Sequence, residues 1–165
     1  MNRNKRKILI LSDLNETSKE VIQYAITIAK EFNGALELLC VKKPSNIVKE
    51  DNPLSAVRNL NNEFIKTEQK AKQIIRSITK NDFFAVKNTI LFGNVRNEIN
   101  IYIKDSNPDL IILGKRQKRF FNFNSDNLTE FVKNKYTNKV CISNKTTIPE
   151  IYELLNDKIQ KEKTA

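Results

Sequence analysis

The chain has no histidine and no tryptophan, one methionine, two cysteines and only three glycines in 165 residues. Each shortage excludes something. Histidine is the commonest general base and the commonest metal ligand. Its absence rules out a Ser-His-Asp or Cys-His catalytic centre. A glycine-rich phosphate loop needs several residues without a Cβ in one turn. Gly34, Gly93 and Gly114 lie too far apart in the chain to build one. Apolar runs reach about five residues, against the roughly 20 needed to span a bilayer. The basic opening MNRNKRKILILSDL has too short an apolar core for a secretory signal. These features predict no membrane association and a cytoplasmic location. Cys40 and Cys141 each lie in an apolar run, at a spacing that fits no metal or redox motif. They are expected to be buried, reduced thiols. Neither a metal site nor a resident cofactor is expected, and Asp13 and Glu16 are assigned to a solvated loop at a helix start.

What the chain has in quantity is positive charge: 29 Lys and Arg against 19 Asp and Glu, a formal charge of +10 and a pI near 9.6. Such a balance suits polyanionic partners, nucleic acid among them. The charge is also spread along a chain rich in Lys, Asn and Ile, a composition that needs no partner.

The apolar pattern alternates between strand-like and helix-like segments. Lys7–Leu11 and Ala35–Val41 are short continuous apolar runs of the kind buried on both faces of a sheet. Between them Val21, Ile22, Ala25, Ile28, Ala29 and Phe32 recur at helical spacing, with Thr17 or Ser18 as the cap and Asn33-Gly34 as the stop. A polar connection with two prolines follows. A long helix is then predicted from Leu54 to about Thr79, and a third strand over Phe83–Phe92. A short helix is expected from Val95, ending at Asn107-Pro108. A fourth strand over Leu110–Leu113, a fourth helix over Leu128–Tyr136 and a fifth strand over Lys139–Ser143 complete the pattern. The order β-α-β-α-β-α-β-α-β implies an α/β domain, a five-stranded parallel sheet with helices on both faces. That domain is expected to occupy residues 1–146. Residues 147–165 read as a C-terminal helical extension. Ile148, Ile151, Tyr152, Leu155 and Ile159 form its apolar stripe, Pro149 sits in its first turn, and its end is expected to fray from residue 160. The stripe needs a partner, either its own sheet edge or a second subunit.

The stretch LGKRQKRFFNFNS, residues 113–125, raises the functional question. A strand ends in glycine, as in a phosphate-binding turn. Lys115, Arg116, Lys118 and Arg119 follow, then Phe120, Phe121 and Phe123. Basic residues beside aromatics suit nucleic acid, through phosphate attraction and base stacking. Alternatively the rings pack inward, as clustered apolar groups do, and the charges face water. The second alternative is the one favoured.

Three segments resemble the universal stress protein family: KILILSDLNETSKEVIQYAITIAKEFNGALELLCV at 7–41, LFGNVRNEI at 91–99, and NPDLIILGKR at 107–116. The resemblance implies a Rossmann-like domain, adenine nucleotide alpha hydrolase-like, with strand order 3-2-1-4-5. Under that order two strands separate Cys40 from Cys141, beyond the roughly 7 Å reach of a disulfide. It implies a non-catalytic stress-response protein that dimerises, through the last strand near Val140 and Ile142. ATP-binding members carry G-x-x-G-x9-G-(S/T) after the fourth strand. By resemblance Asp13 is the acidic residue that contacts the nucleoside, Val41 the position whose backbone contacts adenine, and Gly114 the first glycine of the motif. Gln117 stands at the second glycine. Asn127 and Leu128, or in a shifted frame Asp126 and Asn127, stand at the last pair. Asn127 and Glu130 resemble a capping box that fills the helix start itself. The expectation is a member that does not bind ATP in the family's manner, with the three phenylalanines filling the vacant cleft. Two alternatives remain. One is a sensor that binds a nucleotide or other anion through Asp13, Val41 and the basic residues 115–119. The other is a nucleic-acid-associated protein.

Overall fold

The computed structural model describes residues 5–44, 52–80, 84–114 and 128–163, the last segment with side chains through Asn156. Five strands, β1 (Arg6–Leu11), β2 (Gly34–Lys42), β3 (Val86–Phe92), β4 (Leu110–Leu113) and β5 (Val140–Ile142), form one parallel sheet in the order β3-β2-β1-β4-β5. The connecting helices are α1 (Ser18–Glu31), α2 (Pro53–Thr79), α3 (Val95–Ser106) and α4 (Leu128–Lys135), with α5 (Ile148–Lys163) after the last strand. The predicted α/β class and strand order are those observed.

Side chains alternate across a strand, and β1 supplies both cores. Ile8 and Ile10 enter one apolar cluster with α1, with Ala71 of α2 and with Ile151 and Leu155 of α5. Leu9 and Leu11 enter the other, with Ile99 and Ile103 of α3 and Val132 of α4. The continuous apolar runs are therefore apolar because both faces are covered.

Several boundaries differ from the sequence expectation. Thr17 is the first cap of α1, but its side chain makes no capping bond. Its backbone is already helical, at φ −82 and ψ −9, whereas a capping side chain works from an extended backbone. Asn15 Oδ1 does the work instead, accepting from Thr17 N at 3.0 Å and Thr17 Oγ1 at 2.8 Å. At the other end Asn33 takes the left-handed turn, with φ 50, and Gly34 opens β2. The third strand starts at Val86, with Phe84 packed against the core ahead of it. Phe83 lies outside the described residues. Asn107, at φ 44, ends α3 as expected, its N–H bonding Ile103 O. The last helix does not fray at residue 160 but continues to Lys163, through Lys, Glu and Gln, all good helix formers.

The α5 stripe is only partly used. Ile151 and Leu155 are buried, while Ile148 and Tyr152 stay exposed. Thr147 N and Oγ1 both donate to Glu150 Oε2, at 2.6 and 2.9 Å, which fixes the helix start. Tyr24 of α1 donates to Thr146 O at 2.7 Å, and the Phe32 and Tyr152 rings meet at 4.5 Å between centroids. The helix thus packs on its own chain, beside α1. On the opposite face Glu37 of β2 is a brace. Its Oε1 accepts from Thr89 at 2.7 Å, from Lys87 at 2.7 Å and from Tyr102 of α3.

Candidate functional site

In a sheet of this order, connections leave β1 and β4 in opposite directions, and a crevice opens at the carboxyl ends of those strands. Such a crevice is present, with a volume of about 240 Å³. The floor comes from the strand ends, Leu11, Leu39 and Leu113. Val21 of α1 and Ile99 of α3 add apolar walls. Ser12, Asp13, Thr17 and Ser18 supply the polar rim, and Leu128 and Thr129 of α4 close the far side.

Asp13, Val41 and Gly114 come from three separate segments, and all three line this cleft. The loop that carries Asp13 is tightly built. Ser12 N bonds Leu39 O at 3.1 Å, which extends the sheet pairing by one residue. The Ser12 and Ser18 hydroxyls bond at 2.7 Å, and Ser12 Oγ accepts from Leu14 N at 3.1 Å. Asp13 Oδ1 accepts from Asn15 N at 3.3 Å, and the residue lines the cleft. Between them Leu14 has φ 57 and is buried. A left-handed leucine costs on the order of 1–2 kcal/mol, so its burial must over-determine it. Nothing in the sequence of this loop signalled that strain.

Gly114 serves a different purpose from the one its position suggests. Its φ is not positive, and a Cβ there would lie 2.9 Å from Val21 Cγ2. The glycine lets β4 run close beneath α1. The basic residues Lys115, Arg116, Lys118 and Arg119, the rings Phe120, Phe121 and Phe123, and the cap residue Asn127 lie outside the described residues.

Neither cysteine is poised as a nucleophile. Burial raises the Cys40 thiol to about 11 and the Cys141 thiol to about 12, so both stay protonated at neutral pH. Both are free and buried, on strands with two others between them.

A second cleft, of about 660 Å³, adjoins the first. Lys42 and Lys43 at the end of β2 face Asn59, Asn62, Glu63 and Lys66 of α2, and Val41 and Val95 line both clefts. Lys42 Nζ is bonded to Glu63 Oε1 at 2.5 Å. That bond, the largest influence on Glu63, holds its carboxyl below the ordinary range. The sequence carried a signal for this site that periodicity analysis passes over. Residues 59, 62, 63 and 66 share a polar helix face, opposite the lysine pair that ends a strand.

An open parallel sheet with a crevice at its switch point defines a doubly wound α/β domain. The universal stress protein family model matches residues 5–124. The chain belongs to the universal stress protein family. Among solved structures it is similar to the universal stress protein UspA from Lactobacillus plantarum, at 20% identity and TM-score 0.65, over 86% of this chain and 99% of that one. It is similar to a family protein from Burkholderia pseudomallei at 13% identity and TM-score 0.57, over 86% and 98%. A third is the universal stress protein from Archaeoglobus fulgidus in complex with dAMP, at 10% identity and TM-score 0.56, over 84% and 96%. A comparison with curated proteins gave no match. Among the described residues no helix is long and apolar enough to cross a membrane.

Proposed function

We propose that this chain is a non-catalytic stress-response regulator, cytoplasmic and dimeric, that does not hold ATP in the glycine-cradle manner of its ATP-binding relatives. The observation that carries this is the Gly114–Val21 contact. The one glycine at the end of β4 is committed to packing, and the sequence supplies no other glycine after it. A backbone cradle needs several such residues close together. The lack of histidine and the high thiol pKa values support the non-catalytic part. Among the described residues strand β5 pairs only with β4, and half-buried Val140 and Ile142 lie on that edge, which supports dimerisation there. The test is incubation of the purified chain with ATP and magnesium. No phosphate release and no co-purified ATP are expected; turnover or retained ATP would refute it. Light scattering on Ile142→Lys should report monomer where the unaltered chain reports dimer.

A second reading is favoured by a separate observation, the convergence of Asp13, Val41 and Gly114 on one cleft. In it the chain senses a nucleotide or another anion. Related structures hold dAMP and cAMP, which supports this reading. A thermal-shift titration with ATP, ADP, AMP and a non-nucleotide anion tests it, since a ligand that binds only the folded state raises the melting temperature.

A further inference from the structure

The two adjoining clefts divide charge between them. Among the described residues the smaller one is lined by apolar side chains, hydroxyls, the Asn15 amide and a single carboxylate, Asp13, with no lysine or arginine. Among the described residues the larger is lined by three lysines, Lys42, Lys43 and Lys66, against one acid, Glu63. We propose that the larger cleft is a seat for linked phosphates, the di- or triphosphate group of a small ligand. The phosphates then lie on the β2–α2 side of Val41, in the cleft that Gly114 does not line.

Four features carry this. Lysine ammonium groups are compact point charges with three donors each, and phosphate oxygens accept from such groups without a required plane. The Asn59 and Asn62 amides add neutral donors beside them. The seat is partly preorganised. Glu63 holds the Lys42 ammonium, while Lys42 O accepts from Gly93 N at 3.0 Å, so the end of β2 is tied to α2 and to the turn into α3. Groups already held lose less entropy on binding. Finally, the volume of about 660 Å³ falls within the range of small-molecule sites. Val41 and Val95 line both clefts, so one ligand can reach from the apolar slot into the basic one.

This proposal rests on the second reading of function, ligand sensing, and adds where the charge of the ligand goes. The linked phosphates have two sources, a nucleotide tail or free inorganic polyphosphate.

The experiment is calorimetric titration of the full chain with tripolyphosphate, ATP and adenosine, at fixed ionic strength because exposed charges are screened. Lys43→Gln/Lys66→Gln is compared with Lys115→Gln/Arg116→Gln, and both are checked for an unchanged melting temperature without ligand. The expected result is saturable tripolyphosphate binding to the unaltered chain. It should weaken about tenfold or more in the first variant and change by less than about twofold in the second. ATP that binds more tightly than tripolyphosphate, and loses that advantage in Asp13→Asn, identifies a nucleotide tail. Equal affinities with no effect of Asp13→Asn identify free polyphosphate. In that case nucleotide sensing fails and the seat stands. The proposal is overturned if neither probe binds saturably. It is equally overturned if the loop variant weakens binding as much as, or more than, the Lys43 and Lys66 variant. Adenosine binding without phosphate binding also overturns it.

Discussion

Gly114 and Val21 meet where β4 passes beneath α1, so closely that a Cβ on the glycine would stand 2.9 Å from Val21 Cγ2. The residue that looks like the start of a phosphate loop is therefore a packing residue, and mutation can isolate that role. Gly114→Ala should destabilise the fold by about 1–3 kcal/mol, as overpacking does. In the Val21→Ala background most of that cost should vanish, giving a coupling of about 0.5–3 kcal/mol in a double-mutant cycle by urea denaturation. Additive effects would mean that the contact is not what requires glycine.

Leu14 sets burial against backbone strain. It is buried at φ 57. Leu14→Ala keeps the strain and loses the packing, for about 2–5 kcal/mol. Leu14→Gly also loses the packing but relieves a left-handed conformation worth on the order of 1–2 kcal/mol. Glycine should therefore be the milder substitution, the reverse of the usual order in a folded segment. Denaturation midpoints of the two variants decide the matter, and alanine proving the more stable would contradict it.

The tail helix shares a core with Cys141. Ile151 and Leu155 are buried in the same apolar cluster as this cysteine, and burial raises its thiol to about 12. In the intact chain Cys141 should react with a disulfide reagent at mild pH only through opening of the structure. Deleting residues 147–165 should lower the melting temperature and speed labelling of Cys141 by about tenfold or more, since thiolate fraction and access both rise. Unchanged labelling would show that α5 does not cover the core.

Glu37 makes stability depend on pH in a definite direction. Burial raises its pKa, but hydrogen bonds from Lys87, Tyr102 and Thr89 outweigh that, and the net shift is downward from 4.5. A carboxylate depressed in the folded state binds its proton more weakly there than in the unfolded chain. Its contribution is therefore complete above 4.5 and is lost as the pH falls from there through the lower folded value. Glu37→Gln should be less stable at neutral pH, with a shallower loss of stability in acid. Parallel acid curves for the two proteins would remove Glu37 from the account.

The central strands were legible because both faces of the sheet are covered there. Runs such as Ile8–Leu11 and Leu110–Leu113 had to be apolar throughout, and their shortness and flanking residues favour a strand over a buried helix segment. Asn107 and Asn33 were legible as stops because asparagine tolerates the left-handed turn. Thr17 stands at the cap of α1 as expected, but its side chain makes no capping bond, because three hydroxyl and amide side chains compete there and only the backbone angles decide which one acts. Two of the five residues of the α5 stripe stay exposed, and the side chain of Ile159 lies outside the described residues. An amphipathic pattern states which residues want burial, not how much surface awaits them, and Ile148 and Tyr152 stay exposed.

By itself, then, the sequence determined the architecture, the strand order through its family resemblance, and the chemistry that is missing. Composition and period are local properties, and a chain with three glycines and no histidine cannot hide them. Only the tertiary structure decided the neighbours. It brought Asp13, Val41 and Gly114 to one cleft, turned Gly114 toward Val21, forced Leu14 into strain, and set three lysines around a second cleft next to the first. Those relations join residues tens of positions apart. They depend on how helices sit on a twisted sheet, to within an ångström or so, and no pattern along the chain encodes a distance of that kind.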